Sequence, residues 1–110
     1  MKLYVDLTGK QVTVSKEPGE KKDENGRQRT ERGTGRPMWT TQVFVLDEDG
    51  GEVITITTAG EMPNVKVGTV VFPVQLEALP WSQVKNGNHR SGVAYRATEL
   101  RIPQAGKSAA

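Results

Sequence analysis

Residues 38–59 read MWTTQVFVLDEDGGEVITITTA: two runs rich in β-branched and aromatic side chains, separated by Asp47-Glu48-Asp49-Gly50-Gly51. Branched side chains are already stiff at χ1 and pack well on a pleated surface, so both runs favour strands. The Asp-Gly and Gly-Gly steps supply the positive φ angles of a tight turn. The stretch is read as an antiparallel hairpin, Met38 to Leu46 going out and Glu52 to Ala59 returning. Alternation puts Trp39, Thr41, Val43 and Val45 on one face of the first run, and Met38, Thr40, Gln42, Phe44 and Leu46 on the other. Both faces mix polar with apolar residues, so the pattern leaves open which one is buried.

Period two continues on either side of the hairpin. Leu3, Val5 and Leu7 alternate with Tyr4, Asp6 and Thr8; Gly9 interrupts, and Val12 and Val14 resume before Pro18. A glycine inside such a pattern marks a bulge or bend. Residues 16–37 (KEPGEKKDENGRQRTERGTGRP) carry no large apolar side chain. They cannot offset their ordering entropy by burial, so a long, flexible, basic loop is expected. Downstream, Gly60-Glu61-Met62-Pro63-Asn64 breaks the pattern, with one helical turn at most over 60–66. Val65 to Val71 read as a short turn into a further strand that reaches about Leu79, with Pro73 at an edge or bulge. Pro80-Trp81 ends it, residues 85–89 form a second polar loop around Asn86-Gly87, and Val93 to Ile102 make the last strand. No window of helical length has helical spacing of apolar residues, so little or no helix is expected.

At 110 residues the chain suits one domain, taken as 1–103, with a disordered tail over 104–110. Apolar residues are 35% and aromatics 5%, lean enough that part of the chain should lie outside the core. Lysine and arginine number 15 against 13 acids, so the net charge is uninformative and only its distribution can implicate a polyanion. The absence of cysteine excludes disulfides, thiolate metal sites and cysteine nucleophiles. The start lacks an apolar run of signal-peptide length, and no stretch approaches the roughly 18 apolar residues of a membrane helix. A cytoplasmic protein without membrane contact is expected.

The order of these elements resembles the OB fold, a five-stranded Greek-key barrel with a meander, a connector and two closing strands. The local match is VKVGTVV at 65–71, similar to the lead-in to a fourth OB strand, followed by GVAYRATELRI at 92–102, similar to a fifth. Within that fold, the chain resembles small single-stranded DNA-binding proteins of plasmids, phages and integrative elements. It differs from the housekeeping bacterial type in ending QAGKSAA rather than in an acidic tail, and in lacking a long connector helix. The resemblance implies non-catalytic binding of single-stranded DNA in replication, recombination or transfer, by a homo-oligomer. An OB-fold adaptor in a replication or conjugation complex and an RNA-binding module are the alternatives.

Single-strand binders need cations for phosphates and aromatic faces for bases. Arg27, Arg29, Arg32 and Arg36 stand against only Glu31 within 27–36, and Lys85, Arg90, Arg96 and Arg101 against only Glu99 within 85–101. Residues 47–61 hold five acids and no base. In an OB barrel the first–second and fourth–fifth strand loops flank one binding face, and both basic clusters fall in or beside those loops. Lys21-Lys22-Asp23-Glu24 reads as a solvated run. Trp81 is the better stacking candidate; Trp39 is open between core and stacking, and Tyr95 between an inward and an outward ring. Phe44 and Phe72 are expected in the core.

The lone His89, with no cysteine and no suitably spaced carboxylates, gives no metal site. Gly33-Thr34-Gly35 lacks the lysine and helix of a phosphate loop, and no serine sits in a nucleophile elbow. The expectation is a protein that is not an enzyme and needs no cofactor.

Overall fold

The computed structural model describes residues 1–103, and the tail expected over 104–110 lies outside them. These residues are all-β, with no helix, so the turn allowed at 60–66 is not helical. The strands are β1 (Leu3–Tyr4), β2 (Gln11–Glu20), β3 (Met38–Asp47), β4 (Gly50–Ala59), β5 (Val70–Val74), β6 (Glu77–Lys85), β7 (Asn88–Arg96) and β8 (Glu99–Arg101). They form one sheet in the order β1-β6-β7-β4-β3-β2-β5-β8.

Eight segments therefore stand where five strands were expected, because three long runs are broken. Gly9 (φ 76) lies in the break between β1 and β2, and Gln75 (φ 52) in that between β5 and β6. Ala97 and Thr98 interrupt the run expected from Val93 to Ile102. Strand β2 extends through Glu20, five residues into the segment assigned to the first loop. Extended backbone there is held by β3, with Gly19 beside Thr40 and Glu20 beside Trp39, so pairing orders residues that have nothing apolar to bury.

The expected hairpin is present as β3 and β4, Met38 opposite Ala59 through Asp47 opposite Gly50, with Asp47, Gly50 and Gly51 of the expected turn inside the strands. Its turn is Glu48–Asp49, steadied by the Asp49 amide donating to Asp47 Oδ1 at 2.8 Å. Around the rest of the sheet, β2 pairs with β5, β5 with β8, β6 with both β1 and β7, and β4 runs parallel to β7 at Ile56–Tyr95 and Thr57–Arg96.

The core is thin and valine-rich: Val12, Val14, Val43, Val45, Ile56, Val65, Val71, Leu76 and Ala97. Burial of Thr41, Val43 and Val45 decides the face of β3 that the sequence left open. Phe44 and Phe72, expected in the core, are 39% and 49% exposed instead. Each occupies an outward position of its strand, and two phenylalanines cannot be turned inward without moving the whole register. Pro73, expected at an exposed edge, is fully buried, with β5 between β2 and β8. On one side of Pro73 the β2 pairing stops at Val71, and on the other Pro73 stands in register with Leu100.

Candidate functional site

The outward face of the β2-β3-β4 region is built by alternation. With Thr41, Val43 and Ile56 buried, Thr40, Gln42, Phe44 and Leu46 of β3 and Val53, Thr55 and Thr57 of β4 turn away from the core. One cross-sheet row on this face runs Gly19–Thr40–Thr57–Arg96–Glu77.

Beside this face stands a ribbon formed by β6 and β7. The pair is continuous from Glu77–Arg96 to Lys85–Asn88 and closes in an Asn86-Gly87 turn, both residues at positive φ (53 and 80). That is the two-residue hairpin chemistry of Asn-Gly. The polar loop expected over 85–89 is thus only this turn, and Trp81 lies within a strand rather than beyond it. Strand β7 touches β4 only at Tyr95 and Arg96, so residues 79–94 diverge from the sheet. Between the diverging strands lies an open groove of about 540 Å³, lined by Lys21, Thr40, Glu52 to Thr55, Thr57, Trp81 and Val93 to Tyr95.

Register assigns the aromatic side chains. Tyr95 sits beside buried Ile56 and packs against the core, so its ring turns inward. Three residues earlier, on the opposite alternation, Gly92 faces outward, and Trp81 is its cross-strand partner. The indole lies across Gly92, where an added Cβ would meet Trp81 Cζ2 at 2.9 Å. Trp81 is 44% exposed and borders the groove. Trp39 shares the inward alternation with Thr41, and its Nε1–H donates to the Gly60 carbonyl at 2.7 Å. It is a structural side chain. Of the three aromatic candidates, the structure leaves Trp81 available for stacking.

The basic candidates divide similarly. Arg36 pairs with Glu31 at 3.0 Å and Arg96 with Glu77 at 3.2 Å. Arg27, Arg29, Arg32, Lys85 and Arg90 are exposed and make no ion pair among the described residues. From Leu79 to Tyr95 the sequence contains no acid, so Lys85 and Arg90 give the ribbon tip an unopposed positive charge.

The first loop is held by hydrogen bonds despite its composition. Asp23 Oδ1 accepts from the amides of Asn25 and Arg27, and bridges join Lys22 to Gln28 and Thr30 to Pro37. Lys21 itself is held on the sheet, its amide donating to the Met38 carbonyl and its Nζ to Thr57 Oγ1 at 3.1 Å. Burial pushes the Lys21 ammonium below its ordinary pKa, and repulsion from Arg29 adds to the effect. Thr57 also neighbours Arg96. Lys21 of the first loop and Arg96 of β7 therefore meet at Thr57, at the end of the groove.

Sequence reasoning missed Lys21, Thr40, Thr55, Thr57 and Val53 as groove residues. Lys21 sits in a mixed-charge run, and the threonines gain meaning only from the register that aligns them. Compared with family models, curated proteins and solved structures, the chain gives no match. No helix among the described residues is long and apolar enough to cross a membrane.

Proposed function

We propose that this chain is an OB-type barrel that binds single-stranded nucleic acid, DNA in the first instance, without catalysis. The observation that carries the proposal is the open groove between β4 and the β6–β7 ribbon. It offers a half-exposed indole, a floor of small hydroxyl side chains and a lysine at one end, with further cations at the ribbon tip. Small outward residues let a polynucleotide approach the sheet closely, the indole offers any base a stacking face, and exposed cations follow the phosphates.

The barrel reading draws on the pairing scheme. Taken as single bent strands, β1 with β2, β5 with β6, and β7 with β8 give five strands together with β3 and β4. Their neighbours then run in a ring: first with second and fourth, second with third, third parallel to fifth, and fifth with fourth. Self-association is part of the proposal, but not through Pro73, which is buried. The free edges of the ribbon beyond Leu79 and Ala94 are the available strand edges.

The adaptor reading draws on a different surface, the exposed Val70 and Phe72 of β5. Titrating the whole chain with oligo-dT, oligo-U and duplex at several salt concentrations separates these readings. If about 4 phosphates are neutralised, log affinity for oligo-dT falls with log salt at a slope near −3. Equal affinity for duplex, or no salt dependence, overturns the proposal.

A further inference from the structure

Thr57 lines not only the groove but a second cavity, of about 250 Å³, whose walls include Tyr4, Thr58, Gln75, Glu77 and Arg96. Pockets for drug-sized ligands run to roughly 300–1,000 Å³. This one suits a single planar ring system better than a whole nucleotide.

Its polar groups are incompletely satisfied. Glu77 is 8% exposed, and both contacts from Arg96, Nε and Nη2 at 3.2 Å, fall on Oε1. The other carboxylate oxygen is left out of that pair. Thr58 is 3% exposed and its hydroxyl has no hydrogen-bond partner. Burying the Thr58 hydroxyl unpaired is unfavourable, so a ligand that supplies a partner there is favoured in turn, and the Glu77 oxygen that Arg96 leaves out is free to accept from it. Gln75 is held at φ 52, a left-handed conformation uncommon outside glycine, asparagine and aspartate. Tyr4, 55% exposed, adds an aromatic ring to the lining.

An ionised carboxylate only accepts, and two oxygens side by side match two adjacent N–H donors. Among the neutral bases, only guanine presents such a pair, N1–H and N2–H, with the O6 acceptor next to them. Adenine and cytosine set a single amino donor beside an acceptor, and thymine flanks one N–H with two acceptors. Unpaired bases are read on this same edge by proteins that hold single strands.

We infer that the cavity receives one unpaired guanine from a strand lying in the groove, with Glu77 accepting from N1–H and N2–H and Arg96 donating to O6. Delivery of the base past Thr57 rests on the strand-binding function proposed above. A groove that stacks any base would thereby gain a preference at one position.

The test compares anisotropy titrations of the full chain with oligo-dT and with the same oligomer carrying one central guanine, inosine or adenine. Guanine is expected to tighten binding about tenfold, and inosine, which lacks the N2 amino group, to lose most of that gain. Adenine should give none. In Glu77→Gln the guanine-to-thymine affinity ratio should fall towards one; the inosine comparison needs no variant and is independent of folding. In parallel, guanosine and adenosine monophosphates are titrated while the amides of Thr58 and Ala97 are followed by NMR. Oligo-dT binding with no guanine advantage overturns the inference and leaves the strand-binding proposal standing. Guanosine-specific shifts without oligomer binding support the cavity and overturn the strand. Failure of both removes both.

Discussion

Trp81→Ala separates binding from folding. The indole lies on a ribbon that joins the sheet only at its base, through Glu77 and Ala78 to β1 and through Tyr95 and Arg96 to β4, and no residue from 77 to 96 belongs to the buried core cluster. Its truncation therefore removes local contacts over Gly92 rather than core packing. Local opening of the ribbon beyond Leu79 and Ala94, where neither strand pairs with the rest of the sheet, is largely uncoupled from global unfolding, so the melting temperature should move by only a few degrees. A base stacked on the ring is worth about 1–3 kcal/mol by alanine substitution. At about 1.4 kcal/mol per tenfold, oligo-dT affinity should fall by about 5- to 150-fold. Trp39→Phe should do the reverse. It deletes the 2.7 Å bond to the Gly60 carbonyl and should cost about 1–3 kcal/mol of stability, while leaving the affinity of the folded protein unchanged. Fluorescence titration with oligo-dT checks the assignment: quenching should persist in Trp39→Phe and vanish in Trp81→Phe. Full affinity in Trp81→Ala, or quenching that follows Trp39, refutes the reasoning.

Thr41 is fully buried with an unpartnered hydroxyl, so Thr41→Val should stabilise the fold by about 1 kcal/mol in urea denaturation, and a loss of stability would contradict the burial argument. Gln75→Gly should relieve the positive φ and, after the larger entropy glycine loses on folding, stabilise by about 0.5–1 kcal/mol, whereas Gln75→Val should destabilise. The Glu31 carboxyl is held below its ordinary pKa, first by the Thr34 hydroxyl and then by Arg36. Its stabilisation of the first loop is therefore present above the unfolded carboxylate pKa and lost as pH falls through the lower folded value. NMR titration should find Glu31 protonating below ordinary glutamates, with the Thr34 and Arg36 signals moving at the same midpoint; in Glu31→Gln those signals should not titrate there.

The hairpin at 38–59 was legible from two β-rich runs around a short polar break, and local signals suffice for neighbouring strands, although the turn falls on Glu48–Asp49 rather than on the glycine steps. The all-β character followed from the absence of helical periodicity. The outward turn of Phe44 was not legible, because β3 buries Thr41 and keeps Phe44 at its surface, a choice made by the partner strands. Pro73 misled for a related reason: its register with Leu100 is a contact between elements far apart in the chain. The arginine-rich loop was visible as composition. Which of its cations remain unpaired was not, since Glu31 takes Arg36, and Arg96 is taken by Glu77 from another strand. Lys21 reached the groove through backbone bonds, its amide donating to the Met38 carbonyl and its carbonyl accepting from Arg29, that no local pattern announces.

Backbone amide shifts of the labelled chain, followed during titration with oligo-dT, report directly on where a strand lies. Shifts concentrated at Lys21, Thr55, Thr57, Trp81 and Val93 are the predicted outcome. Shifts confined to the Val70–Phe72 surface, or none at saturating oligomer, would contradict it.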